Sequence, residues 1–459
     1  MLVNVSPVTI SRLRGTLTGR VIEPHDDGYD RARTVYQGGF DRRPAAIIRV
    51  ADAADVARVI AFARETGAEL AVRGGGHSNA GHSVTEGGIV LDLRDLQAMD
   101  IDVEGRTAWA QGGLTAGAYT AQAGAHGLAT GFGDTGSVGI GGITLGGGIG
   151  FLVRKHGLSI DNLLAAELVT ADGEIRHVDA ETHPDLFWAI RGGGGNFGVA
   201  TRLRFRLHPL ESFMGGILIL PATPEVIASF MAEAEAAPEE LSTIANVMPA
   251  PPMPFLPSEL HGRLIIMAFM AYAGEAEAGE RAIAPFRALA TPLADMVQAM
   301  PYSGMFPPEG DVEPVTAAAQ TMFMDSVDRD MAETVVRYLE SSDASMRAVQ
   351  LRMLGGAMAR VPVDATAFAH RHSRIMVNVA AFYERPEDRA AREAWVAELA
   401  GALRQSDAGA YVNFLGDESE DRVRAAYPGS TWHRLAAIKA VYDPANLFRL
   451  NQNIPPAIG

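Results

Sequence analysis

Three glycine-rich loops constrain this chain more than any other feature. They are Arg73-Gly74-Gly75-Gly76-His77-Ser78, then Gly133-Asp134-Thr135-Gly136-Ser137-Val138-Gly139 running into Gly146-Gly147-Gly148-Ile149-Gly150, then Arg191-Gly192-Gly193-Gly194-Gly195-Asn196-Phe197-Gly198. Glycine admits positive φ and lets backbone N–H groups close around an anion. The first loop lies between an apolar run and the strand-like Ile89 to Leu93, so it reads as a phosphate cradle with an imidazole on its rim. Three such loops fit a large ligand lying extended along the protein. The competing reading takes them as turns without a ligand.

Gly131-Phe132-Gly133-Asp134-Thr135-Gly136 also matches the dinucleotide fingerprint GxGxxG. That fingerprint requires a preceding strand, a helix opening at the third glycine and an acidic residue about 20 residues on. Here glycines continue to Gly150, which leaves no place for such a helix.

Around the loops, strand and helix alternate. Ile47 to Val50 reads as a strand, and Val56, Val59, Ile60 and Phe62 recur at helical spacing, with Asp52 and Asp55 near the helix start where carboxylates complement the dipole. Thr107 to Gln111 reads as a strand, Thr115 to His126 as a helix, and Glu167 to Thr170 with Glu174 to Val178 as a hairpin across Ala171-Asp172-Gly173. Asp185 to Ile190 is expected to be a short helix and Ala200 to Leu207 an alternating strand. After Pro209 the glycine loops vanish. Strand-like Gly216 to Leu220 and Leu264 to Met270 alternate there with helical Pro224 to Ala237 and Glu275 to Leu289, and Pro285 is expected to kink or end the last.

The loop motifs, in this order, resemble the FAD-binding domain of the vanillyl alcohol oxidase superfamily, named after p-cresol methylhydroxylase (PCMH), and within it the berberine bridge enzyme-like branch. The resemblance runs from about Arg43 to Leu210 and resumes at Tyr411-Val412-Asn413-Phe414 and Tyr442-Asp443-Pro444-Ala445-Asn446-Leu447-Phe448. It implies an α+β fold: a two-subdomain FAD-binding domain of the PCMH type, with an inserted α+β substrate domain built on an antiparallel sheet. The expected division is residues 1–210 for the FAD-binding domain (core 43–210), 211–410 for the substrate-binding domain, and 411–459 returning to the first.

The resemblance also implies roles for single residues. His77 is expected to bond covalently to the flavin 8α-methyl carbon, although an isolated histidine beside glycines is ordinarily just a loop histidine. A second tether through cysteine would fall at Thr135, and the chain has no cysteine, so FAD is expected to be attached through His77 only. Val138 falls where a small residue over the flavin leaves room for dioxygen. Arg73, Gly74, Gly75, Gly76, Ser78, Gly133, Thr135, Gly136, Gly139, Gly142, Gly148, Gly150, Val199 and Asn413 are expected to line the cofactor. Asp161 and Asn162, after His156-Gly157-Leu158, are expected to support it, and Asn451 to close over it.

Tyr411 is the candidate catalytic residue, taking a proton from substrate O–H or N–H. If Tyr411-Val412-Asn413 is a strand, Tyr411 and Asn413 share a face. A free tyrosine has a pKa of about 10, so a base near neutrality needs a cation or strong hydrogen bonds, and His370 or Arg371 are the expected neighbours. The alternative is a half-buried strand tyrosine.

Composition narrows the partners. The net charge of −16 and the absence of any basic run argue against nucleic acid. No apolar run approaches the ~20 residues of a membrane span and no signal peptide is visible, so a cytoplasmic location is expected. The partners expected are a small-molecule substrate and O2. The activity expected is that of an FAD-dependent oxidase acting on an alcohol or amine carbon of a small, fairly apolar substrate and releasing H2O2. An oligosaccharide or aldose oxidase, and a catalytically silent flavin-carrying binding protein, are the alternatives.

Overall fold

The computed structural model describes residues 7–307, 315–405, 409–416 and 419–458. Three large sheets organise them, beside a two-stranded pairing of Leu128–Ala129 with His208–Pro209. The first has four strands in the spatial order Arg20–Ile22, Ala46–Arg49, Ile89–Asp92, Leu70–Arg73; the last three run parallel and the edge strand antiparallel. Parallel strands need a crossover, and the helix Ala53–Thr66 provides it. Asp52 caps that helix by accepting from the Asp55 N–H, and Gly67 ends it at φ 69°. Asp55 does more than complement the dipole: it is buried and accepts the N–H groups of Thr18, Gly19 and Ala51, tying the N-terminal segment to the sheet.

The second sheet is antiparallel, in the order Met99–Asp102, Thr107–Gln111, Val199–Arg206, Leu163–Val169, Ile175–Asp179. The hairpin at Ala171-Asp172-Gly173 forms as expected, with Gly173 at φ 88°. Its core draws in residues from the end of the chain, among them Val412, Leu415, Trp432, Leu435 and Ile454.

The third sheet has eight strands, all from residues 214–382 and all antiparallel. Its centre runs Leu264–Tyr272, Leu241–Pro249, Arg347–Met353, Ile375–Phe382. Side chains alternate across a strand, and Val349, Leu351 and Met353 point into a core shared with helices Pro224–Ala236, Arg329–Ser341 and Arg389–Leu403. Gln350 and Arg352 therefore occupy the opposite face, toward the glycine loops. Pro285 sits inside the helix Ala276–Arg287 and the helix stops two residues later, the early end expected of proline.

Two expectations are corrected. A short helix, Ile140–Leu145, does open straight after Gly139; it is held by burial of Ile140, Thr144 and Leu145, and Gly141 packs so tightly that an added Cβ would lie 2.9 Å from the Gly112 carbonyl oxygen. The strand before it is only Leu128–Ala129, so no Rossmann unit results. The segment at 411 is not a strand: Tyr411 precedes the 3-10 turn Val412–Phe414.

Candidate active site

The first loop leaves strand Leu70–Arg73 and turns at Gly76, φ 81°. It meets the middle loop backbone to backbone. A Cβ on Gly75 would stand 2.3 Å from the Gly139 nitrogen, and one on Gly139 would stand 2.4 Å from the Gly75 nitrogen. Only glycine on both sides permits that approach. Among the described residues, the N–H groups of Gly74, Gly75, Gly76 and Ser78 donate to no backbone carbonyl, which is the condition an anion cradle must satisfy. Gly142, in the short helix beyond the junction, is exposed and has nothing within 4 Å of an added Cβ.

His77 stands on the rim in a fixed attitude. Its Nε2 lies 2.9 Å from Ser137 Oγ in the middle loop, and its ring stacks on Tyr36 at a centroid distance of 3.9 Å and an angle of 23°. The Tyr36 N–H donates to the Gly76 carbonyl at 3.2 Å, so the stacking partner is fastened to the loop it serves. Ser78 Oγ accepts from the His82 N–H and shapes the turn. Arg73, expected on the cofactor, is instead 1% exposed and donates to Asp92 and to the Ala32 carbonyl; burial pushes its guanidinium down to about 10. It fixes the segment that carries Tyr36.

Tyr411 is 2% exposed, and its oxygen accepts three donors: Gly148 N–H at 2.9 Å, Ile149 N–H at 3.2 Å and Asn413 Nδ2 at 2.9 Å. Asn413 Nδ2 also reaches the Ile143 carbonyl at 2.9 Å. Burial raises the phenol's proton affinity, and the three donors and the Arg352 charge oppose that; the net direction is upward, so the group is a neutral phenol at neutral pH. The neighbouring cation is Arg352 rather than the expected Arg371 or His370. Arg371 forks onto Asp161 with two bonds of 2.8 Å, and His370 stacks on Phe323.

The glycine run 146–150 packs around this nest. An added Cβ would lie 2.0 Å from Asn413 Oδ1 at Gly146, 3.3 Å from the Tyr411 ring at Gly147, 2.0 Å from Ser159 Oγ at Gly148 and 2.3 Å from the Phe132 carbonyl oxygen at Gly150. Gly133 likewise abuts Ile143. Gly148 and Gly150, expected to line the cofactor, are thus demanded by close packing.

Other expected cofactor residues are committed to the protein. Asp161 accepts from Arg371 and the Leu158 N–H, while Asn162 donates to the carbonyls of His156 and Leu158 and meets His208 at 2.6 Å. They brace the turn after the glycine run. Val199 is core, paired with Val169. Among the described residues Thr135 Oγ1 reaches only its neighbour Asp134, at 3.3 Å, and the Gly136 carbonyl accepts the Gly117 N–H. Val138 and Gly139 are held against Thr115-Ala116. Asn451 donates to the Phe448 carbonyl, whereas its Oδ1 is buried without a partner. Asn451, Asn453, Gln452, Glu420 and His82 line a cavity of about 260 Å³. An orphaned acceptor there, together with the open loop amides, suits a cofactor rich in hydrogen-bonding groups.

Sequence reasoning passed over Tyr36, Asp134, Ser137, Arg352 and Phe414 as site residues. Asp134 and Ser137 were legible as members of the middle loop; Tyr36 and Arg352 come from segments without a motif. Among the described residues no cluster of three His, Cys, Asp or Glu could hold a metal, and no helix is long and apolar enough to cross a membrane.

A backbone cradle, a fastened imidazole and a buried tyrosine nest on this fold define an FAD-linked oxidoreductase. Comparison with known proteins agrees. Residues 44–179 match the model of the FAD binding domain, and residues 410–455 match that described as berberine and berberine like. (R)-6-hydroxynicotine oxidase of Paenarthrobacter nicotinovorans is 30% identical over 459 residues, covering 96% of this chain and 97% of the relative. Xylooligosaccharide oxidase of Thermothelomyces thermophilus is 29% identical over 454 residues, covering 90% and 88%. The crystal structure of the 6-hydroxy-D-nicotine oxidase from Arthrobacter nicotinovorans superposes with a TM-score of 0.86 at 28% identity, covering 96% of this chain and 98% of that one. The chain belongs to the berberine bridge enzyme-like family of FAD-linked oxidases within the PCMH superfamily.

Proposed function

We propose that this enzyme carries FAD bonded covalently to His77 alone and oxidises an alcohol or amine carbon of a small substrate, with O2 as the final acceptor and H2O2 as a product. The observation that carries the reading is the His77 imidazole, clasped between Ser137 and Tyr36 on the rim of a loop whose amides are open. Attachment needs a nitrogen held still beside the ring system while backbone amides take the pyrophosphate. Thr135 at the place of a second tether, in a chain without cysteine, leaves one bond. We further assign residues 1–210 and 411–459 to the FAD-binding domain and 211–410 to the substrate domain.

Bound FAD supplies the chemistry of hydride acceptance and of electron delivery to dioxygen. The chain supplies orientation and the proton path. Tyr411 is the proposed proton acceptor: once its own proton has left, the three N–H donors stabilise the phenolate oxygen as an oxyanion hole does. Val138 borders the proposed oxygen approach, and Asn413 and Asn451 the cofactor's polar edge.

The relatives' names span an amine and a sugar oligomer. The composition of residues 211–410 supports the smaller, less polar class, because Met, Phe and Pro abound there while tryptophan, a common carbohydrate platform, is limited to Trp395, whose indole N–H donates to the Tyr338 carbonyl. Acid precipitation tests the cofactor reading: yellow colour should stay with the protein and be lost from the pellet of His77→Ala, which still binds FAD noncovalently. Peroxide release from a panel of amines, alcohols and sugars tests the substrate reading, and turnover of xylose oligomers alone would overturn it.

A further inference from the structure

Arg352 is 4% exposed in the middle of the eight-stranded sheet, on the face turned to the glycine loops. One guanidinium there reaches three separate segments of the flavin-side site. Its Nη2 donates to Asp134 Oδ2 at 2.6 Å, three residues ahead of Ser137, which meets His77. Its Nη1 donates to the Ile149 carbonyl at 3.5 Å, and the N–H of that same residue donates to Tyr411. Its Cζ lies 4.9 Å from the centroid of the Phe414 ring, which in turn lies 5.3 Å from the centroid of the Tyr411 ring. Within its own sheet, Nε donates to Gln350 Oε1 at 2.9 Å, and Gln350 donates to Asn246.

A buried ion pair is a poor way to stabilise a sheet, since apolar residues of the same volume generally do as well or better. What an arginine fork adds is fixed geometry toward several acceptors at once. We propose that Arg352 is a positioning residue of the oxidation site, locking the middle loop that holds His77 and the nest that holds Tyr411 to the substrate-side sheet.

The lock has an electrostatic consequence. Arg352 is the cation that acts on Tyr411 from the sheet; from the segment before it, Arg371 is neutralised by Asp161 and His370 lies against Phe323; the glycine run and Asn413 bring only neutral donors. Asp134 partly offsets the Arg352 charge. Removing the arginine and removing its carboxylate should therefore move Tyr411 in opposite directions.

The proposal rests on the reading of Tyr411 and His77 given above, and its test is arranged to be separable from it. Near-ultraviolet tyrosinate absorbance, taken as the difference from Tyr411→Phe, reports the Tyr411 titration in protein with and without flavin. Acid-stable flavin formed after adding FAD to apo-protein reports attachment. Arg352→Gln should move the titration up by about one pH unit and slow attachment roughly tenfold. Asp134→Asn should move the titration down while also slowing attachment. Arg352→Lys, which keeps the charge and loses the fork, should restore the titration and not the attachment rate. Shifts of the same sign in Arg352→Gln and Asp134→Asn, or wild-type values in both, would overturn the proposal. If Arg352→Gln does not fold, Asp134→Asn decides alone, because Asp134 is partly exposed. Failure of the wild type to hold acid-stable flavin would sink the attachment reading, whereas the titration arms would still judge Arg352.

Discussion

The loop Gly74-Gly75-Gly76 and the run Gly146-Gly147-Gly148 are the same three letters in sequence and do opposite work in the molecule. In the first, the amides are left without backbone acceptors, and an added Cβ at Gly74 meets nothing nearer than the Gly112 oxygen at 3.5 Å. In the second, every glycine stands against a side chain, and two successive amides, Gly148 and Ile149, are spent on Tyr411. The first run leaves its donors without a backbone partner, as the proposed phosphate cradle requires. The second gives up its donors to position a residue. Glycine permits close approach in both; the first run meets Gly112 and Gly139, whereas the second meets Phe368, Tyr411 and Asn413, more than 200 positions away.

The sharpest way to break the comparison is to remove the group the second run serves. Tyr411→Phe deletes one hydroxyl and leaves the Gly148, Ile149 and Asn413 donors facing a ring edge. Unpaired buried donors cost about 1–3 kcal/mol each at the upper limit, so thermal stability should fall measurably. Flavin reduction under anaerobic substrate should slow by about 100-fold or more, the scale of a lost acid–base group. Retained wild-type reduction in a variant that has lost stability would make Tyr411 a structural residue only. In the wild type, the upward direction of the Tyr411 titration has a signed consequence: in its proposed role as proton acceptor the active form is the deprotonated one, so reduction should climb with pH through the alkaline range. A plateau already reached at neutral pH would contradict it.

The two runs should separate next under a single methyl. Gly148→Ala places a Cβ 2.0 Å from Ser159 Oγ at φ 82°, where L-residues are strained. A loss of about 2–4 kcal/mol is expected, read by chemical denaturation. Gly74→Ala should leave stability within about 0.5 kcal/mol and instead weaken FAD retention, read by flavin content after dialysis in a His77→Ala background. Equal damage to stability in both would erase the distinction.

How much of this was open to reading from residues follows the same division. Periodicity located the strands and helices flanking the loops closely, because burial of Val56, Val59, Ile60 and Phe62 is a local pattern. The hairpin at Ala171-Asp172-Gly173 was legible because its turn chemistry is local too. Tyr411 could be singled out, but its surroundings could not: the 3-10 turn replaces the expected strand because Asn413 turns back to reach both Tyr411 and Ile143. Arg73 sits inside the cradle motif and yet serves Asp92 and Ala32, and Arg352 sits in no motif and yet reaches three site segments. Motifs report chain neighbours, and both arginines owe their roles to partners that only folding brings near.

The smallest expected effect tests the brace behind the second run. Asn162, in the turn that follows it, meets His208, and His208 stacks on His156 at 3.9 Å and 10°. Burial comes first in pushing both rings down, His156 to about 3 and His208 to about 4, with Lys155 adding repulsion to each. Unfolded histidine titrates near 6.5. Between that value and about 4 the unfolded chain therefore binds protons that the folded one refuses, so stability is full above pH 6.5 and declines as the pH falls toward 4. Both rings are partly exposed, and the decline is correspondingly modest, a few degrees in melting temperature. His156→Phe keeps a ring for the stack and forfeits no bond at Nε2, which is buried without a partner. It should flatten the decline without touching flavin attachment, since the first run and its imidazole lie outside this brace. An unchanged slope in that variant would place the acid sensitivity elsewhere.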